Sequence, residues 1–263
     1  HLSIRRQRQM CIRDREASAL RSTPVPSMVR ALRWNLDRGQ SDLRLFEVGK
    51  TYSPRPAGLP EERRVLTLGL SGHRRPVAVY EEEKEKELNS FDLKGDLETL
   101  LAAFAVPELH FEPTGCDYFE AGQGGRLVAG GQSLAVFGQL SRDITRQYKL
   151  RQTVWLAEVD FEQVLAWPLR PPAFKAFARF PAVERDFSLV VPDAIPYSRL
   201  AEAVQGLGRE EIRGFRPVDL FRRGSIAPGR YSLLLRVTFQ SPSHTLTSQE
   251  IGETSKRVLT ALA

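Results

Sequence analysis

Apolar positions recur at two different spacings along the chain, and the spacing switches from segment to segment. In PVPSMVRALRWNL, residues 24–36, Met28, Leu32 and Leu36 fall at i, i+4 and i+8, with Val25 and Val29 widening the stripe. That period predicts an amphipathic helix with Pro24 and Pro26 near its start and Gly39 as its stop. DLRLFEVGKTY then alternates, with Leu43, Leu45 and Glu47 on one face and Phe46 and Val48 on the other. VLTLGLSG, residues 65–72, alternates as well, and both predict strands. DLKGDLETLLAAF, residues 92–104, places Leu93, Leu97, Leu100, Leu101 and Phe104 on one helical face. Phe91 stands before it as a candidate staple. Gly95 weakens that helix relative to Ala, which points to a neighbour approaching closely there. LHFEP, RLVAGG and QSLAVFGQL predict short strands with glycine turns; SRDITRQYKL predicts a short helix and TVWLAEVDF a further strand. The succession is not a βαβα repeat, so the fold class is α+β with antiparallel pairing.

AWPLRPPAF, residues 166–174, has three prolines within positions 168–172. Such a segment stiffens and separates domains, which puts a boundary near 170. Beyond it Phe187, Leu189 and Val191 share a strand face. SRLAEAVQGL is a helix with Leu200, Val204 and Leu207 on one side and Ser198 as candidate N-cap. VDLF leads to the turn RRGSIAPG. YSLLLRVTFQ is a strand with Leu233, Leu235, Val237 and Phe239 together. Thr247 and Glu250 match a capping box, after which Ile251, Ser255, Val258 and Leu262 line a helix. Strand, helix, strand, strand, helix is a ferredoxin-like βαββαβ order short of one strand, so the last strand is expected to be truncated.

The chain has 263 residues, 41% of them apolar, enough for one to three domains. No run of about 18 apolar residues occurs, so no helical membrane span is expected. Residues 1–15, HLSIRRQRQMCIRDR, are basic without the apolar stretch of a signal peptide, and they read as a non-native leader; a basic amphipathic helix start is the alternative. Setting them aside changes the charge picture. Residues 16–171 carry 20 basic and 22 acidic side chains, whereas residues 172–263 carry 13 and 9. The basic character therefore lies in the last third, which permits phosphate contact without requiring it. With Cys11 in the leader, Cys116 stands alone, which fits a reducing, cytoplasmic setting.

Chemistry-bearing motifs are sparse. No CxxC, HExxH, Gly-x-Ser-x-Gly or Walker loop occurs. AGQGG at 121–125 and AGG at 129–131 are flanked by strands and read as hairpin turns rather than phosphate cradles. Asp92 and Asp96 at i, i+4 could face a metal, but Lys94 and Glu98 beside them favour helix N-terminal charge. Residues 81–87, EEEKEKE, read as a solvated helix or loop. The aromatic-rich strand of an RRM is missing.

Four blocks nonetheless stand in a telling order: LFEVGKTY (45–52), FDLKGDLE (91–98), FPAVERDFSLVV (180–191) and HTLTSQEI (244–251), preceded by LRSTPVPSMVRALRWNLDRG (20–39). In order and spacing they resemble the bacterial phenylalanine–tRNA ligase beta subunit across about residues 20–263. The resemblance implies that residues 16–168 form the end of that subunit's catalytic-like module, an antiparallel sheet related to class II synthetase cores and lacking a working active site. Residues 172–263 would then be the ferredoxin-fold anticodon-binding domain. It implies a fragment of an aminoacyl-tRNA synthetase that joins phenylalanine to its tRNA using ATP and magnesium, a two-alpha, two-beta tetramer with the active site in the alpha subunit. The fragment itself would hold no cofactor or metal and no catalytic residue, and editing regions would lie before residue 20. Two departures stand out: Glu120-Ala121-Gly122 replaces a frequent His-Pro-Gly turn, and Val218-Asp219-Leu220-Phe221 replaces a frequent Phe-Asp-Val-Tyr, removing a hydroxyl.

Within FPAVERDFSLVV, Phe180-Pro181 enforces an extended path. Arg185 and Asp186 at the strand's mouth have two readings, an ion pair pinning the strand or an arginine contacting phosphate with Asp186 orienting it. Lys175, Arg179, Arg222, Arg223 and Arg236 are further phosphate candidates. Two functions follow: a non-catalytic subunit fragment binding tRNA and the alpha subunit, or a purely structural docking module without RNA contact. A stand-alone small-molecule enzyme finds no motif.

Overall fold

A computed structural model describes residues 20–74, 87–174, 177–222 and 226–263. The charge run at 81–87 falls almost wholly outside them. The chain divides into two compact units at Pro172/Ala173.

The first unit is built on a six-stranded antiparallel sheet. Helix α1 (Val25–Leu36) leads into β1 (Leu43–Ser53) and β2 (Glu61–Ser71). There follow α2 (Ser90–Ala102), β3 (His110–Pro113), β4 (Phe119–Ala129), β5 (Gln132–Leu140), α3 (Arg142–Gln147), β6 (Val154–Asp160) and α4 (Phe161–Leu165). The strand order is β1-β2-β6-β5-β4-β3. Helices cover both faces, which is why β6 is apolar on both sides apart from Glu158 before its last two residues: Trp155, Ala157 and Val159 join the cluster under α2, while Val154 and Leu156 join the cluster under α1. Burial of Met28, Val29 and Leu32 on α1, and of Leu93, Leu97 and Leu101 on α2, follows the stripes read from the sequence. The Trp155 indole, buried with them, donates to Leu88 O at 3.0 Å.

Two glycines are dictated by geometry. At Gly69 an added Cβ would lie 2.8 Å from Met28 Cγ and Sδ, so α1 seats directly on the bare strand. Gly130 and Gly131, at φ +56° and +77°, form the two-residue β4–β5 turn, where both positions need positive φ. The AGQGG stretch is different from its expectation. It lies inside β4, and a register shift between Phe119 and Gly124 absorbs it as a bulge.

Three local expectations are corrected. Phe91 is no staple: Asn89 caps α2 in a reciprocal box with Asp92, which puts Phe91 inside the first turn, 76% exposed. Gly95 has no close neighbour, since its Cβ position is open. Ser198 is not a cap; its helix begins at Tyr197 after Pro196, without a side-chain cap. Asp92 lies in the first turn of α2, the placement its neighbours favoured, and pairs with Arg74 at 2.6 Å, while Arg44 grips Asp96 at 2.8 and 2.9 Å.

The second unit comprises β7 (Val183–Pro192), α5 (Tyr197–Gln205), β8 (Ile212–Phe221), β9 (Arg230–Phe239) and α6 (Ser248–Leu262). Its sheet has the order β7-β9-β8, antiparallel throughout, so β7 keeps one unpaired edge among the described residues. Along β9 the odd positions Tyr231, Leu233, Leu235, Val237 and Phe239 are buried against residues of α5 and α6, including Leu200, Val204, Ile251 and Val258. Thr247 and Glu250 form the expected capping box of α6.

Candidate nucleic-acid interface

Because both helices of the second unit cover one face of β7-β9-β8, its other face lies open among the described residues. Its side chains follow from the register, since directly paired residues in antiparallel strands share a face. Asp186, Arg236 and Arg216 form one cross-strand row; Ser188, Leu234 and Asp219 form the next; Val190, Ser232 and Phe221 form the third. The row of Phe221 and that of Arg236 are four residues apart on β9, about 13 Å at the usual strand rise.

Phe221 reaches this face through a bulge. Phe215 pairs with Val237 and packs among the helices. Strict alternation would send Phe221 to the same side. The register shift between Pro217 and Asp219 makes Val218 the extra residue, and from there every side chain changes face. Pro217, with no N–H to donate, suits the place where the ladder breaks. Phe221 is thereby 52% exposed on the open face, with Val190 53% exposed two strands away. The Ser232 hydroxyl lies between them, and Asp219, one of whose oxygens accepts its neighbour Leu220 N at 2.8 Å, lies one row along.

The charged end of the face is internally paired. Arg236 Nε and Nη2 donate to Asp186 Oδ1 and Oδ2 at 2.7 and 2.8 Å, and Nη1 lies 3.3 Å from Glu184. Hydrogen bonds from Arg236 hold the Asp186 carboxyl below the usual range, and those same bonds raise the guanidinium. The pinning ion pair expected between Arg185 and Asp186 does not form. Consecutive strand residues point to opposite faces, so Asp186 meets Arg236 across the ladder while Arg185 stands in the row of Val237 and Phe215.

The six candidate cations are accordingly dispersed. Arg236 is on the open face but engaged. Arg222 follows β8, pairs with Asp193 and sits with its guanidinium carbon 5.0 Å from the Tyr231 ring centroid. Arg179 and Arg185 are exposed and form no ion pair among the described residues. Lys175 and Arg223 lie outside the described residues. Arg216 and Ser232 escaped the sequence reading, and Asp219 and Phe221 entered it only as a departure from a family motif, not as site residues; their common face depends on strand order and on one bulge, neither of which has a local signature. Among the described residues no group of three or more His, Cys, Asp or Glu side chains is placed to hold a metal, and no helix is long and apolar enough to cross a membrane.

Comparison with known proteins assigns both units. Residues 13–161 match the family described as phenylalanyl tRNA synthetase beta chain CLM domain, and residues 178–263 match the ferredoxin-fold anticodon binding domain. The phenylalanine–tRNA ligase beta subunit of Symbiobacterium thermophilum is 30% identical over 248 residues, 94% of this chain and 28% of that one. That of Geobacter sulfurreducens is 29% identical over 250 residues, 94% of this chain and 31% of that one. The chain thus spans under a third of the length of these relatives. Among solved structures, the pyrrolysyl tRNA synthetase PylSc of Desulfitobacterium hafniense aligns at TM-score 0.42 and 16% identity, over 55% of this chain and 48% of that one.

Proposed function

Because the chain belongs to the phenylalanyl-tRNA synthetase beta-chain family, we propose that its second unit binds phenylalanine tRNA through the open face of β7-β9-β8, at the single-stranded anticodon loop. The observation that carries this reading is Phe221, an aromatic ring turned out of the core by a bulge onto a face that also holds Ser232, Asp219, Leu234 and Arg216. An exposed ring on a sheet offers a stacking platform for an unpaired base. The hydroxyl and carboxylate beside it match the hydrogen-bonding edge of that base, and cations about 13 Å along the sheet match phosphates of neighbouring nucleotides. Loss of the family's frequent Tyr hydroxyl at Phe221 leaves the π-face intact.

In this reading residues 16–168 are the catalytic-like module and residues 172–263 the anticodon-binding domain. The first unit serves as a scaffold for the alpha subunit in a two-alpha, two-beta cytoplasmic enzyme. Phe46 and Val48, 74% and 52% exposed on the outermost strand β1, support a protein-docking role there. Ligation of phenylalanine, with ATP and magnesium, belongs to the alpha subunit.

The test is fluorescence anisotropy of the full chain with a labelled anticodon stem-loop of phenylalanine tRNA, titrated across salt concentrations. Binding that weakens linearly in log–log salt, and that a duplex RNA of equal length competes poorly, supports the reading. Salt-independent or absent binding overturns it and leaves the purely structural docking role.

A further inference from the structure

Beneath the start of α1, on the face of the six-stranded sheet away from α2, the structure gathers polar groups that neither RNA contact nor subunit docking uses. Glu47 of β1, Thr67 of β2 and Glu158 of β6 are consecutive partners in one cross-strand row, continued by Val136 of β5. The Cα positions of Glu47 and Glu158, separated by one strand, are about 10 Å apart at ordinary strand spacing. The two carboxylates are treated very differently. Glu47 has a cation: Arg21 Nη1 donates to its Oε1 at 2.6 Å, and Ser27 Oγ lies 3.0 Å from its Oε2. Arg21 also donates through Nε to Lys50 O at 2.8 Å, so its guanidinium is committed to β1.

Glu158 has no cation among the described residues. Its partners are neutral: the Thr23 hydroxyl bonds its Oε1, and the Tyr118 phenol of the turn opening β4 lies against it. The Thr23 oxygen meanwhile accepts from Val25 N at 3.1 Å, in the first turn of α1. Thr23 therefore links the helix start to Glu158 directly. Thr67, the cross-strand neighbour of Glu158, is fully buried, and its hydroxyl has no hydrogen-bond partner. An ionised Glu158 would be an enclosed charge with only neutral donors, the costly arrangement; a protonated one adds a donor on the strand face where the Thr67 oxygen has none.

We propose that Glu158 is a proton-gated anchor for α1, holding the Thr23 end of the helix on the sheet when protonated and loosening it when ionised. The facing titratable groups support this. On β1 the facing carboxylate, Glu47, is neutralised by Arg21; on the turn before β4 the facing groups are Tyr118 and Cys116; β2 and β5 contribute only Thr67 and Val136. Enclosure pushes the Glu158 carboxyl above its ordinary range, and the Thr23 and Tyr118 hydroxyls pull it only part of the way back. Enclosure raises the Tyr118 phenol too, so it stays neutral across the range that matters. With the folded value raised, the anchoring contribution is complete below the unfolded value of about 4.5 and is lost as pH rises through the folded one.

Amide hydrogen exchange of the full chain, expressed as protection factors over pH 5–8, tests the anchor. The expected result is a selective fall in α1 protection relative to α2 as pH rises, in the direction set by the raised Glu158 carboxyl. Glu158→Gln, which keeps a neutral donor, should hold α1 at its low-pH protection throughout. Thr23→Val should lower α1 protection at every pH. Equal pH behaviour of α1 and α2 in the unaltered chain, or a Gln variant that still loses protection as pH rises, overturns the proposal. Should the Gln variant not fold, the 13C titration of the Glu158 carboxyl decides instead: a midpoint at or below that of an exposed Glu overturns it, and one above supports it.

Discussion

Arg236 of β9 holds Asp186 of β7 in a two-pronged grip, Nε to Oδ1 at 2.7 Å and Nη2 to Oδ2 at 2.8 Å. The Asp in the Arg185-Asp186 dipeptide therefore serves the neighbouring strand. The pair is exposed and screened by solvent, so its net stabilisation is small. Its larger effect is on the surface charge offered to a polyanion. Asp186→Asn releases Arg236 from one of its carboxylates. RNA affinity should rise at low salt, and the log–log salt slope should steepen by about 0.7, one further phosphate contact. Anisotropy titrations of both proteins across salt check this; an unchanged slope means Arg236 meets no phosphate.

Phe221 and Phe239 have opposite duties. Phe239 is fully buried between sheet and helices, and Phe239→Ala should cost about 3–5 kcal/mol of stability. Phe221→Ala should leave thermal unfolding nearly unchanged while weakening RNA binding by about 1–3 kcal/mol. Phe221→Tyr should preserve binding. Paired melting and binding curves separate the two positions.

The sequence disclosed the local features of both units but not the open sheet face of the second. The stripes on α1, α2 and α6, the alternation of β9 and the Thr247–Glu250 box all arise from interactions within a few residues, and each is written locally. The open face is not. Asp186, Arg236 and Arg216 come from three strands and share a row only through the order β7-β9-β8. Phe221 is harder still, because a single extra residue at Val218 reverses its side. Gly95 misled for the converse reason: a glycine in a helix signals close packing only when something lies opposite, and there nothing does.

Gly95 and Gly69 accordingly predict opposite signs. Gly95→Ala adds a methyl into open space in mid-helix and should stabilise the first unit by about 0.5–1 kcal/mol. Gly69→Ala drives a methyl to 2.8 Å from Met28 and should destabilise it by about 1–3 kcal/mol. Denaturant midpoints at constant m-value measure both.

The cap of α6 sets an acid limit on the second unit. The Thr247 backbone N–H, at 2.7 Å, and His244, at 2.9 Å, hold the Glu250 carboxyl down to about 2. The folded value is depressed, so the capping contribution is present above the unfolded value of about 4.5 and is lost as pH falls towards 2. Glu250→Gln should flatten the stability profile of the second unit between pH 4.5 and 2 while lowering its stability at neutral pH. Melting temperatures followed across that range report it.

The most direct test of RNA binding by the open sheet face is amide chemical-shift mapping of the full chain with the anticodon stem-loop of phenylalanine tRNA. The account predicts perturbations concentrated at Ser188, Val190, Asp219, Phe221, Ser232 and Leu234, which share that face across three strands. Perturbations confined to α5 and α6, or none at saturating RNA, would contradict it.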